Sequence, residues 1–202
     1  APERWVQLLK AEDLDRVGML AGAFLSDIDS VDAGYFGLPA WCDDFEMDPH
    51  ARLALEVSAE AMLQIDRKAV ASWGVYTAAV STYFHDSEGA TTHPEVMVKL
   101  LSKALGLQAG GTYHVHHYDE ACTSSHLALH EAREALQARD REAALVVGAT
   151  LLLHWSIMRQ LCYQGIASPT GHCRPLDQQG HGLVHGEACM AAVLQSWEAT
   201  PE

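Results

Sequence analysis

"HHYDEACTSSHLALHEAREAL", residues 116–136, changes character partway along its length. The residues leading into it alternate loosely, as a strand does, whereas after Cys122 the apolar positions Leu129, Ala132 and Leu136 recur at helical spacing. A strand therefore hands over to a helix at a lone cysteine. A thiol attacks only as thiolate, and the unpaired amides and aligned dipoles of a helix's first turn favour that form. The same N–H groups can hold an oxyanion on an attacked carbonyl. Cys122 is thus the candidate nucleophile, offering its sulfur and, through its own backbone N–H, one oxyanion donor. Its small neighbours Ala121, Thr123, Ser124 and Ser125 leave room for an incoming group. Free cysteine is also a common buried and inert residue, and the local pattern does not decide between the two readings.

Outward from this turn the chain reads as mixed α/β. "MDPHARLALEVSAEAMLQI" carries Asp48 as N-cap and Pro49 at the first helical position. Leu53, Val57 and Ala61 form one stripe and Leu55, Ala59 and Met62 another, so this helix is expected to be covered on two sides. "WGVYTAAVSTYF" (73–84) reads as a buried strand, "PEVMVKLLSKAL" (94–105) as a helix and "GTYHVHHYD" (111–119) as a second strand. The runs "AALVVGATLLL" (143–153) and "GEACMAAVLQ" (186–195) read as further strands. Short, mostly apolar strands alternating with helices imply a sheet covered on both faces. No repeat, low-complexity tract or linker interrupts the chain, so one domain or part of one is expected.

The bulk numbers narrow the function classes. With 202 residues, 49% of them hydrophobic, the chain can bury one sizeable core. Thirteen Lys and Arg against 27 Asp and Glu give a net charge of −14, which argues against nucleic acid or an anionic membrane as the main partner. No apolar run approaches the roughly 18 residues that span a bilayer, and the opening "APERWVQLLKAEDLDR" lacks the features of a signal peptide. Five cysteines without paired spacing fit reduced thiols in a cytoplasmic setting.

Three stretches together carry a resemblance. "YDEACTSSHLALHEAREAL" resembles the active-site segment of β-ketoacyl synthases of the polyketide and animal fatty-acid type, whose Asp-x-Ala-Cys-Ser-Ser-Ser-Leu run holds the acyl-accepting cysteine. "GAFLSDIDSVDAGYFGLP" with "EMDPHARLALEVSAEAML" is similar to an earlier segment of that family and its Met-Asp-Pro-x-x-Arg-Leu helix, matched by Met47, Asp48, Pro49, Arg52 and Leu53. "SPTGHCRPLDQQGHGLVHGEA" is similar to the family's Gly-x-Cys-Arg-Pro-Phe-Asp segment. Gly171, Cys173, Arg174, Pro175 and Asp177 match it, and Gly182, Gly186 and Glu187 follow in step. The motifs stand in the family's order and cover nearly the whole chain.

The resemblance implies the N-terminal half of a thiolase-like αβαβα fold, with residues 1–202 a partial ketosynthase domain lacking the first strand and the C-terminal half. It implies decarboxylative Claisen condensation, in which Cys122 takes an acyl chain from the phosphopantetheine thiol of an acyl carrier protein and a malonyl-type extender attacks it. No cofactor is expected to be bound. The implied partners are the carrier protein, the remainder of the synthase chain and a second copy paired through residues 111–118. The two family histidines that assist decarboxylation belong to the half that this sequence does not contain, and none of the 12 histidines here is assigned either role. His181, Leu183, His185 and Ala188 replace usual residues of the last motif, and Glu120 and His126 replace the usual Thr and Leu around the cysteine.

Two rival readings follow from the same residues. One is a non-catalytic half-fold kept for dimerisation or for completing another chain; the other, a free-standing cysteine hydrolase, lacks a histidine at a recognisable partner position. His114 and His116 would share one strand face, while His172, Cys173, His181 and His185 lie close in sequence. Their spacing matches no compact ligand set, so hydrogen-bonded structural roles are expected rather than a metal. Cys42, Cys162, Cys173 and Cys189 are read as packing residues.

Overall fold

Asp48 and Pro49 start the first helix among the described residues as their chemistry requires. The Asp48 carboxylate accepts the His50 amide at 2.9 Å, and Pro49, which has no amide to satisfy, opens α1 (Pro49–Ala61). The computed structural model describes residues 22–38, 47–63, 65–66, 72–79, 94–107, 114–153 and 155–196. The remaining elements in chain order are β1 (Trp73–Ala79), α2 (Pro94–Ala104), β2 (His114–Tyr118), a 3₁₀ turn (Ala121–Thr123), α3 (Ser124–Gln137), β3 (Ala143–Thr150), α4 (Trp155–Tyr163) and β4 (Ala188–Gln195). The parts of the expected strands at 80–84 and 111–113 lie outside the described residues. No helix among the described residues is long and apolar enough to cross a membrane.

The chain divides into two compact units. The larger, Asp27–Ala149 with Cys189–Glu202, holds a mixed four-stranded sheet ordered β2-β1-β3-β4. β1 is central and parallel to both neighbours, with Tyr76 opposite His116 on one side and Val146 on the other. Every residue of β1 is buried, as an apolar strand covered on both faces must be.

Side-chain alternation sorts the sheet into two faces. Trp73, Val75, Ala79, Leu145 and Val147 pack against Ala54 and Leu55 of α1 and Val98 and Leu101 of α2. Tyr76, Ala78, Ala144 and Val146 pack on the other face against α3. There the buried stripe is Ala128, Ala132 and Leu136, while Leu129, expected in that stripe, is 46% exposed. The four-residue spacing of the stripe sets two methyl groups against the sheet and turns Leu129 aside. On α1, Leu53 and Leu55 are both buried. Replacing Leu55, which is fully buried, by alanine would cost about 2–5 kcal/mol.

The smaller unit, Ala1–Ser26 with Thr150–Ala188, has its own small core of Leu152, Met158 and Ala167, with Phe24 and Leu161 against it. The apolar run expected to continue as strand to residue 153 leaves the sheet at Thr150, and α4 follows, a helix that the sequence reading did not distinguish. Glu187 ties this unit together. One of its carboxylate oxygens accepts the Leu25 amide at 2.9 Å and the other the Leu152 amide at 2.8 Å.

Candidate active site

β2 delivers the chain to Asp119 and Glu120, and the 3₁₀ turn at Ala121–Thr123 then feeds α3 directly. Cys122 sits in the middle of that turn, exposed, just ahead of the helix. The handover is therefore sharper than a strand running into a helix. Ala121 makes it possible by adopting φ 49°, a left-handed conformation that L-residues other than glycine rarely hold.

Hydrogen bonds hold the turn from inside. The Thr123 amide donates to the Glu120 carbonyl at 3.2 Å, and the Thr123 hydroxyl donates to the same oxygen at 2.8 Å. Ser124, 4% exposed, accepts the Glu120 amide on its hydroxyl oxygen at 2.7 Å and donates that hydroxyl to the Ala121 carbonyl at 2.8 Å. Thr123 occupies the N-cap position of α3, yet its side chain makes no cap hydrogen bond. In the sequence Ser124 stands out only as a small neighbour of the cysteine. Its buried hydroxyl has no signature in a serine-rich run.

Around this turn His116 and His117 of β2 have structural partners. The His117 ring lies 2.9 Å from the Thr77 hydroxyl through Nδ1 and 3.0 Å from the Ala79 carbonyl through Nε2, which fixes it across β1. His116 stacks between Tyr76 and Tyr118, with ring centroids 6.4 and 5.9 Å away. Burial, with the Glu131 carboxylate and then Tyr76 adding to it, pushes the Tyr118 hydroxyl up to about 12.

The motif on α1 is structural in its contacts. Met47 is buried, and the Arg52 guanidinium, 1% exposed, donates through one terminal nitrogen to the Asp29 carbonyl; Nε and the other terminal nitrogen have no hydrogen-bond partner among the described residues. The third motif belongs to the smaller unit. There the Cys173 sulfur accepts the Val184 amide at 3.0 Å and borders a cleft of about 340 Å³ that Arg174, Asp177, His181 and Leu183 also line. Cys173 is exposed, not a packing residue, because its turn-rich segment lies on the surface. Cys162 is half-buried; Cys189 is too, and burial, with Glu56 adding to it, pushes its thiol up to about 12. Cys42 lies outside the described residues. Among the described residues no three His, Cys, Asp or Glu side chains come together as a metal-binding group.

Comparison with known proteins agrees with this architecture. Residues 2–199 match the family described as beta-ketoacyl synthase, N-terminal domain. The chain is 34% identical over 196 residues to a phenolphthiocerol/phthiocerol polyketide synthase of Mycobacterium tuberculosis, covering 86% of this chain and 10% of that one. It is 32% identical over 184 residues to a highly reducing polyketide synthase of Cryptosporiopsis, covering 84% of this chain and 7% of that one. The solved ketosynthase from module 6 of the Bacillus subtilis bacillaene synthase superposes with a TM-score of 0.73 at 27% identity, over 85% of this chain and 30% of its own. The chain thus spans about a tenth of these curated relatives and under a third of that ketosynthase. With its thiolase-like sheet, its cysteine turn and three motifs in order, the chain belongs to the β-ketoacyl synthase N-terminal domain family, in its polyketide-synthase form.

Proposed function

We propose that this ketosynthase domain accepts an acyl chain on Cys122. The sulfur attacks the carbonyl carbon of an acyl thioester on the phosphopantetheine arm of a carrier protein. The tetrahedral adduct collapses by breaking the bond to the carrier sulfur, which leaves as thiolate and takes up a proton. A malonyl-type extender then loses CO₂, and its carbanion forms a carbon–carbon bond to the acyl carbonyl while the Cys122 thiolate departs. The observation that carries the reading is the exposed Cys122 in a tight turn immediately ahead of a 14-residue helix, whose N-terminal dipole favours a negatively charged oxygen.

The test is intact-mass analysis of the chain incubated with an acyl thioester. An adduct of acyl mass is expected, absent in Cys122→Ala, and an adduct that survives the substitution overturns the assignment. The second reading, a non-catalytic half-fold, is favoured by β4, where Met190 stands 73% exposed. It gains if no adduct forms at any protein concentration. Self-pairing belongs to either reading. β2 lies at the edge of the described sheet, and two copies joined through residues 111–118 would appear as a dimer in light scattering. A monomer at micromolar concentration rules that pairing out.

A further inference from the structure

We infer that Ser124 is a positioning residue for Cys122, a role that rests on the acyl-transfer reading above. The place of the sulfur depends on the backbone of Ala121 and Cys122, and both side chains are exposed, so neither is held by packing. Ala121 nevertheless holds a left-handed conformation, which an alanine leaves readily unless its surroundings fix it. Two hydroxyls bond the turn. That of Thr123 is exposed and, among the described residues, bonds to the Glu120 carbonyl alone, so water can replace it. That of Ser124 is buried and grips both sides of the left-handed residue, taking the Glu120 amide at 2.7 Å and giving its proton to the Ala121 carbonyl at 2.8 Å.

Remove that hydroxyl and the Glu120 amide and the Ala121 carbonyl lose the one side chain that joins them across the left-handed residue. Ala121 is then free to relax toward the right-handed region, and the following sulfur swings with it. A displacement of about 1 Å at a reacting atom is enough to cost large factors in rate without weakening substrate binding.

The experiment compares the intact chain with Ser124→Ala and Ser124→Thr. In Ser124→Ala the rate of Cys122 acylation at saturating acyl thioester is expected to fall at least about tenfold, with the half-saturating concentration within about twofold of the parent. Alkylation by iodoacetamide, which needs no carbonyl alignment, should change by less than about threefold, and Ser124→Thr should restore most of the acylation rate. Carbon chemical shifts and the amide coupling of Ala121, read by NMR, should report left-handed backbone in the parent and in Ser124→Thr and its loss in Ser124→Ala. Acylation of Ser124→Ala at the parental rate overturns the inference, as does a loss matching its unfolded fraction by circular dichroism. If the parent itself takes no acyl group, the acyl-transfer reading fails. The NMR arm then decides separately, and a left-handed Ala121 persisting in Ser124→Ala refutes the clamp.

Discussion

Gly148 of β3 faces Ser125 of α3 so closely that a methyl group on Gly148 would lie 2.9 Å from the Ser125 hydroxyl oxygen. The sheet thus leaves space for the turn of helix that follows Cys122. Gly148→Ala should cost under about 1 kcal/mol, because that hydroxyl can rotate away, whereas Gly148→Val should cost about 1–3 kcal/mol by pushing the helix start outward. The next nearest atom, Ser125 Cβ, would be 3.7 Å from the added methyl group, an ordinary contact. Ser125→Ala should therefore abolish the cost of Gly148→Ala, a non-additive pair measurable by denaturant titration.

Gly182 admits no such relief. Its φ is +126°, and an added Cβ would stand 2.6 Å from the Ser168 amide nitrogen and 2.7 Å from the Ala167 carbonyl carbon, both backbone atoms. Gly182→Ala should destabilise the smaller unit by about 3 kcal/mol. Hydrogen exchange should show the loss first at the Ser168 amide, which donates to the Leu183 carbonyl, and at the Leu183 amide, which donates to the Ile166 carbonyl.

Glu187 serves its two amides with two separate oxygens. Glutamine offers one acceptor and turns an NH₂ group toward the other amide. Glu187→Gln should therefore cost about 1–3 kcal/mol in thermal or chemical denaturation. An unchanged midpoint would show that water or a neighbouring carbonyl takes over the second amide.

Alkaline stability follows from Cys189 and Tyr118. Burial holds the Cys189 thiol at about 12 against an ordinary 9.0, and the Tyr118 hydroxyl at about 12 against 10.0. In both the neutral, protonated form is favoured by the fold, so the unfolded chain releases these protons first. Their contribution to stability is complete below pH 9 for Cys189 and below 10 for Tyr118, and it is lost as pH rises toward about 12. Denaturation midpoints should fall across that interval, and Cys189→Ala should flatten the fall. At pH 8 an alkylating reagent should modify the exposed Cys122 and Cys173 well before Cys189.

The sequence made the large elements legible for local physical reasons. Asp48 and Pro49 announce α1 because capping and proline geometry act within a single turn. The central strand shows itself as an unbroken apolar run because both its faces are covered. The overrun of β3 to residue 153 and the missed α4 share one cause: Leu151–Leu153 continue the apolar run after the chain has left the sheet, and no glycine or proline marks the change. The cysteine turn was half legible. Its place between strand and helix shows in the change of period, but a left-handed alanine carries no signature, and nothing in "TSSH" distinguishes the buried serine from the exposed one.

The two alanines under α3 carry a consequence for the chemistry above them. With Ala128 and Ala132 against the sheet and the larger Leu136 only near its far end, α3 rides low toward its cysteine end. If Cys122 takes an acyl group as proposed, the reach of its sulfur toward a thioester depends on these small side chains. A larger side chain at either position would lift the rod and tilt its cysteine end, and under the proposed acyl transfer it would change which groups can approach without touching any atom that reacts.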